Sequence, residues 1–101
     1  MASRLELQDL LEELLGSTNV YFQPPSNLLM QYPCVRYGRD DAETLFADNL
    51  PYRYIKGYQV IYIDRDPDSP IPDKIAKLPM CTFDRHYKAD NLNHDSFSLY
   101  F

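Results

Sequence analysis

Leucines set the first pattern in this chain. Leu7, Leu10, Leu11, Leu14 and Leu15 recur at three- and four-residue spacing, which makes one apolar stripe on a helix. Glu6, Asp9, Glu12 and Glu13 fall largely on the other side. Ser3 is a suitable N-cap, Glu6 three positions later completes a capping box, and Gly16 suits the left-handed C-cap. The spacing predicts a helix over residues 3–15, lying on a sheet. Residues 20–22, Val-Tyr-Phe, read as a short strand ended by Pro24 and Pro25. Residues 26–33 read as an irregular connection with apolar anchors, and residues 34–37 as a second strand. Residues 52–64 form the longest predicted strand. Tyr58, Val60 and Tyr62 share one face, and Gln59, Ile61 and Ile63 share the other. Apolar side chains on both faces predict cover on both. The helix supplies one cover; another element or another subunit must supply the second.

Asp64-Arg65-Asp66-Pro67-Asp68-Ser69-Pro70 is a turn-rich break. A short helix is expected over residues 71–78, with Pro72 in its first turn and Pro79 stopping it. Two closing strands follow, at 80–87 and 95–101, with a polar connection between them. The order α-β-β-β-α-β-β predicts a single α+β domain over residues 1–101 with a mostly antiparallel sheet.

Two regions sit awkwardly in that scheme. Residues 38–51 read as a loop too long for a tight turn, and loops of that length in small domains are usually functional or mobile. They carry Leu45, Phe46 and Leu50, which water does not suit. Either the loop folds over its own core, or it is an arm that packs on a neighbouring subunit. The last segment, with Phe97, Leu99 and Phe101, is apolar to its end and must be held by neighbours in this chain or in another. Its edge is expected to pair with another subunit. These six residues are the candidate subunit contacts.

The composition narrows the classes of function. Hydrophobic residues are 45% and charged ones 25% of the chain, which suits a globular domain. Fifteen acidic against ten basic residues leave a net charge of −5, which argues against a protein that grips nucleic acid. Nine Tyr and five Phe with no Trp suit both strands and protein interfaces. Cys34 and Cys81 are expected as free thiols rather than a disulfide. No apolar run approaches the ~20 residues of a membrane span, and no signal-peptide core opens the chain. Folding in a cytoplasm is expected.

Candidate chemistry is thin. Asp64, Asp66 and Asp68 alternate as at the start of a calcium loop. Pro67 intrudes, however, Ser69 stands where glycine is required, and Ile75 stands where the closing Glu belongs. A solvated turn before the helix is expected instead. Asp84, His86, His94 and Asp95 could form a metal or acid–base cluster if the histidines face each other across a hairpin. Their spacing matches no ligand motif, and the alternative is that both bind nearby backbone. Cys81 and His86, five apart on one strand, are expected on opposite faces. Neither a phosphate-binding glycine motif nor a cofactor site is expected. Tyr52-Arg53-Tyr54-Ile55-Lys56 mixes aromatics with cations as single-strand binders do, against the opposing net charge.

The chain resembles small proteins encoded among the structural genes of tailed phages and prophages of Gram-positive bacteria. The resemblance covers nearly the whole chain. It runs through the leucine helix ending at Gly16, Asn19-Val20-Tyr21-Phe22-Gln23-Pro24-Pro25, Tyr32-Pro33-Cys34-Val35 and Ala47-Asp48-Asn49 followed by Tyr52. It continues through Tyr58-Gln59-Val60, Asp64-Arg65-Asp66-Pro67-Asp68-Ser69, Ile71-Pro72-Asp73-Lys74-Ile75, Phe83-Asp84-Arg85-His86-Tyr87 and Asp90-Asn91-Leu92-Asn93-His94-Asp95. The family is that of tail-terminator, or tail-completion, proteins. The resemblance implies a small α+β domain that forms a hexameric ring in the virion neck after assembly in the bacterial cytoplasm. The implied partners are the tail tube protein and the head-closure or connector protein. Genomic DNA would be passing cargo, for which an acidic lumen is suited, and no membrane is implied. A head-closure adaptor is the neighbouring possibility. A small metal-dependent enzyme using Asp84, His86 and His94 is the possibility from a different class.

Overall fold

A computed structural model describes residues 4–25, 29–47 and 50–101, with the side chains of all of these except 40–47 and 50–55. The predicted leucine helix is α1 (Arg4–Leu15). Leu7 and Leu11 are fully buried, and Leu10, Leu14 and Leu15 pack partly buried around them. Gly16 ends the helix at φ +76°, and the amides of Gly16 and Ser17 both donate to the Glu12 carbonyl at 2.9 and 3.2 Å. A left-handed residue here meets the orphan carbonyls of the last turn at no steric cost to glycine. The Ser3 cap lies outside the described residues.

The strands are β1 (Val20–Phe22), β2 (Cys34–Ala47), β3 (Leu50–Asp64), β4 (Cys81–Ala89) and β5 (Leu92–Tyr100), with α2 (Ile71–Ala76) between β3 and β4. They form one sheet in the order β1-β2-β3-β5-β4. β1 runs parallel to β2, and every other pair is antiparallel. The fold is therefore α+β with a mostly antiparallel sheet, in the element order the sequence predicts.

Register assigns the faces. Val20, Val35, Tyr62 and Asp95 stand in one row, and Phe22, Tyr37, Val60, Phe97 and Phe83 in the next. These side chains point to the two helices. Phe83 and Asp95 lie at the margin of the core, while Val20, Val35, Tyr37, Val60, Tyr62 and Phe97 of these rows make it with Leu7, Leu11, Ile75, Tyr58 and Leu99. Each such side chain contributes about 1.5–3 kcal/mol on full burial. Among the described residues no helix lies on the opposite face. Its rows are Cys34, Ile63, His94 and Tyr87, then Arg36, Ile61, Ser96 and Arg85. Part of it is overlaid by the chain leaving β1. Gln23 lies so close to Gly38 that a Cβ there would meet its Cγ at 3.1 Å. The same side chain accepts the Arg39 amide at 3.1 Å through Oε1.

Three expectations change. The described part of residues 38–51 is strand and not loop: β2 continues to Ala47, β3 begins at Leu50, and the two pair along it. Its pairing comes from the partner strand and not from local alternation, which the charges obscure. The connection after β4 shrinks to Asp90 and Asn91, with φ of 52° and 62°. Asp and Asn tolerate that region, and two such residues make the hairpin turn that matches strand twist. The residues beside them become strand. Finally, β5 is not an edge: it lies between β3 and β4. The edge that the sequence reading placed at 95–101 belongs to β4.

Candidate functional site

At the hairpin end of β4 and β5 the acid–histidine group comes apart. His86 Nδ1 meets Asp95 Oδ1 at 2.7 Å on the helix side of the sheet. His94 lies on the other side, stacked on Tyr87 with ring centroids 4.8 Å apart, its Nδ1 3.1 Å from the Leu92 carbonyl. The two histidines therefore do not face each other. Asp84 sits at a bulge between Phe83 and Arg85, where its Oδ2 accepts the Ser98 hydroxyl at 2.8 Å. That extra residue shifts the alternation, so Cys81 and His86 fall on the same face, contrary to the expectation from spacing. Among the described residues no group of three His, Cys, Asp or Glu is placed to hold a metal ion.

Asp95 also borders a cleft of about 460 Å³ between α2 and β4, with Phe83, Phe97, Ser69, Pro72 and Asp73 on its walls. Ser69 is already engaged: its Oγ accepts the Ile71 amide at 3.3 Å and lies 3.0 Å from the Tyr62 hydroxyl. The Asp64-Asp66-Asp68 series is a turn, as expected. The Asp66 amide donates to Asp64 Oδ1 at 3.2 Å and the Asp68 amide to Asp66 Oδ1 at 2.9 Å. The Tyr62 hydroxyl donates to Asp64 Oδ2 at 2.6 Å. Burial and that carboxylate both push the Tyr62 phenol up.

Both cysteines are free. β2 and β4 lie three strand spacings apart, about 14 Å, which is beyond disulfide reach. Burial raises the Cys34 thiol to about 11 and also raises Cys81, beside Asp84. Neither carries the lowered pKa of an activated nucleophile.

Two surfaces remain. The first is the β2–β3 hairpin. β1 pairs with β2 only as far as Tyr37, and β5 with β3 only as far as Gly57. Over residues 42–47 and 50–55 the two strands pair with each other and, among the described residues, with no other strand. This makes a two-stranded ribbon about 20–25 Å long by strand rise, on a molecule measuring 51 × 25 × 23 Å. The second is the open sheet face. Arg36 and Arg85 are exposed in one row, with Ile61 and Ser96 between them and Tyr21 beyond Arg36 at the β1 edge. Arg85 lies over the Tyr87 ring at 4.8 Å. Arg36 and Arg39 border a cleft of about 300 Å³ with Gln23, Pro24, Gly38, Gln59 and Ile61, and among the described side chains no carboxylate lines it.

The candidate contacts divide accordingly. Leu45, Phe46 and Leu50 lie on the ribbon, and their side chains are outside the described residues. Phe97 and Leu99 are 0% and 2% exposed within this chain's own core, so they do not face a neighbour. Phe101 packs partly buried against that core, and its amide donates to the Lys56 carbonyl at 3.0 Å. The arginine row went unread in the sequence. Arg36 alternates with buried Val35 and Tyr37 and was legible, but Arg85 was hidden by the bulge. No protein-family model matches this chain, and no curated protein is similar to it.

Proposed function

We propose that this chain is a structural virion protein of the phage neck, which forms a ring that caps the tail tube and joins the tail to the head connector. The observation that carries the reading is the ribbon. A lone two-stranded hairpin is at best marginally stable in water. This one bears Leu45, Phe46, Leu50, Tyr52, Tyr54 and Ile55 in its sequence, beyond the last strand of the body that pairs with it. A neighbouring copy that covers it resolves the cost. The resemblance in sequence supplies the neck setting, and the α-β-β-β-α-β-β order agrees with it. The work is physical: each copy reaches to the next, and a heterologous contact closes into a ring if its rotation allows.

Sizing chromatography with light scattering over a concentration series tests this, together with electron microscopy of the largest species. The expected product is a ring with a central channel. Replacing residues 41–55 with an Asn-Gly turn should leave a folded body by circular dichroism and abolish assembly. A trimmed chain that assembles as the intact one does would overturn the role of the ribbon. A strict monomer that purifies with bound metal would favour the enzyme reading instead.

A further inference from the structure

The open sheet face and the outer face of α1 are opposite in charge and lie on opposite layers of the molecule. On α1 the exposed residues are Leu5, Glu6, Asp9 and Glu13. Its one base, Arg4, is turned inward: Nη1 donates to the Tyr37 hydroxyl at 3.3 Å, and the guanidinium lies over the Phe22 ring at 4.4 Å. The helix therefore shows solvent acids and one leucine. The sheet face shows Arg36 and Arg85 in one row with Ile61 partly exposed between them, and the carboxylate of Asp84 there is engaged by the Ser98 hydroxyl.

We propose that the open sheet face is covered by helix α1 of a second copy of this chain, with Asp9 and Glu13 of one copy meeting Arg36 and Arg85 of the next. The proposal rests on the self-assembly part of the reading above and names the surfaces that meet.

The dimensions agree. Arg36 and Arg85 stand three strand spacings apart, about 14 Å between their Cα atoms. Asp9 and Glu13 lie about 6 Å apart along the helix axis, and the two long arginine side chains, leaning inward, take up the difference. A helix laid across the row sets the flank between Asp9 and Glu13 over Ile61. It also completes the cover that apolar residues on both faces of β3 call for. The arrangement gives an overall acidic chain a reason to gather arginines on one face.

Two consequences follow from the geometry. Donor and acceptor surfaces differ, so the contact is heterologous and passes from copy to copy, as a ring or a filament requires. The charges lie at an exposed contact, so salt weakens it; the screening length is about 8 Å at 0.15 M salt.

The test is a charge swap. R36E/R85E and D9K/E13K variants of the full chain are purified and followed by light scattering at low salt, with circular dichroism as the check of folding. Each variant alone should assemble at least about tenfold more weakly than the natural chain, because like charges now meet. Mixing the two should restore assembly, since every helix then finds an opposite face in an alternating order. Three outcomes overturn the proposal. One is a single variant that assembles as the natural chain does, which leaves the ribbon to carry the ring. Another is a mixture that stays apart. The third is an intact chain that is monomeric at low salt, which removes the self-assembly reading as well. Duplex DNA is added as a further probe: if R36E/R85E loses DNA retention while keeping normal assembly, the face belongs to nucleic acid and the proposal falls.

Discussion

The two faces of the sheet come from the same strands and have opposite fates. On β3, Tyr58, Val60 and Tyr62 are 2%, 0% and 1% exposed beneath the helices. One residue along, Gln59 is exposed and Ile61 partly so on the other face. Ile63 and Cys34 are buried there without any helix above them. The covered face is a packed core whose cost of disruption is high. The open face is a mixed surface of isoleucine, serine and arginine, legible as an unfinished layer. Apolar residues on both faces of a strand therefore reported a demand for cover, and the chain itself answers that demand on one side.

The sharpest way to break the comparison is to remove the strand that both faces share. Deleting residues 96–101 splits the sheet between β3 and β4, so unfolded or insoluble protein is expected. A soluble truncate with native circular dichroism would show that the core does not depend on β5. Single substitutions read the faces separately. Leu11→Ala should cost about 2–5 kcal/mol by urea denaturation, because it leaves a cavity under α1. Ile61→Ala on the open face should cost under about 1 kcal/mol in the isolated chain. Equal costs would mean that the open face is packed as tightly as the core.

Alkaline pH tests the buried open-face thiol. Cys34 is raised from 9.0 to about 11 by burial. Below pH 9 the thiol is protonated in both states and its contribution is fully present. Between pH 9 and about 11 only the unfolded chain ionises, so stability falls, by at most about 2–3 kcal/mol. Cys34→Ala should flatten that part of a stability-against-pH curve; an unchanged curve would assign the loss to the raised tyrosines instead. A modest effect is expected at the rim of the covered face. Tyr62→Phe removes a hydroxyl that bonds Asp64 and Ser69 and should cost about 1 kcal/mol by thermal melting.

Much of the architecture was legible because it depends on local pattern. The leucine period gave α1 to within one residue, Pro24 and Pro25 bounded β1, and Pro72 and Pro79 bracketed α2. The hairpin over 38–51 was not legible, since Asp40, Asp41 and Glu43 break the apolar alternation and only the opposite strand supplies the pairing. The four-residue acid–histidine group was legible as a list and not as an arrangement. One unpaired residue at Asp84 inverts the face of everything after it in β4, and no spacing rule sees a bulge.

By itself, then, the sequence determined both helices, the existence and order of the five strands, and the surplus of acid, because these follow from near neighbours and from counting; the full length of β2, β3, β4 and β5 did not. Tertiary structure alone decided that β5 is central and β4 the edge, that the histidines part to opposite faces, and that a ribbon runs on beyond the body. Those are facts of strand pairing between distant residues. Pairing is set by which faces the helices can bury together, and no local stretch of the chain contains that information.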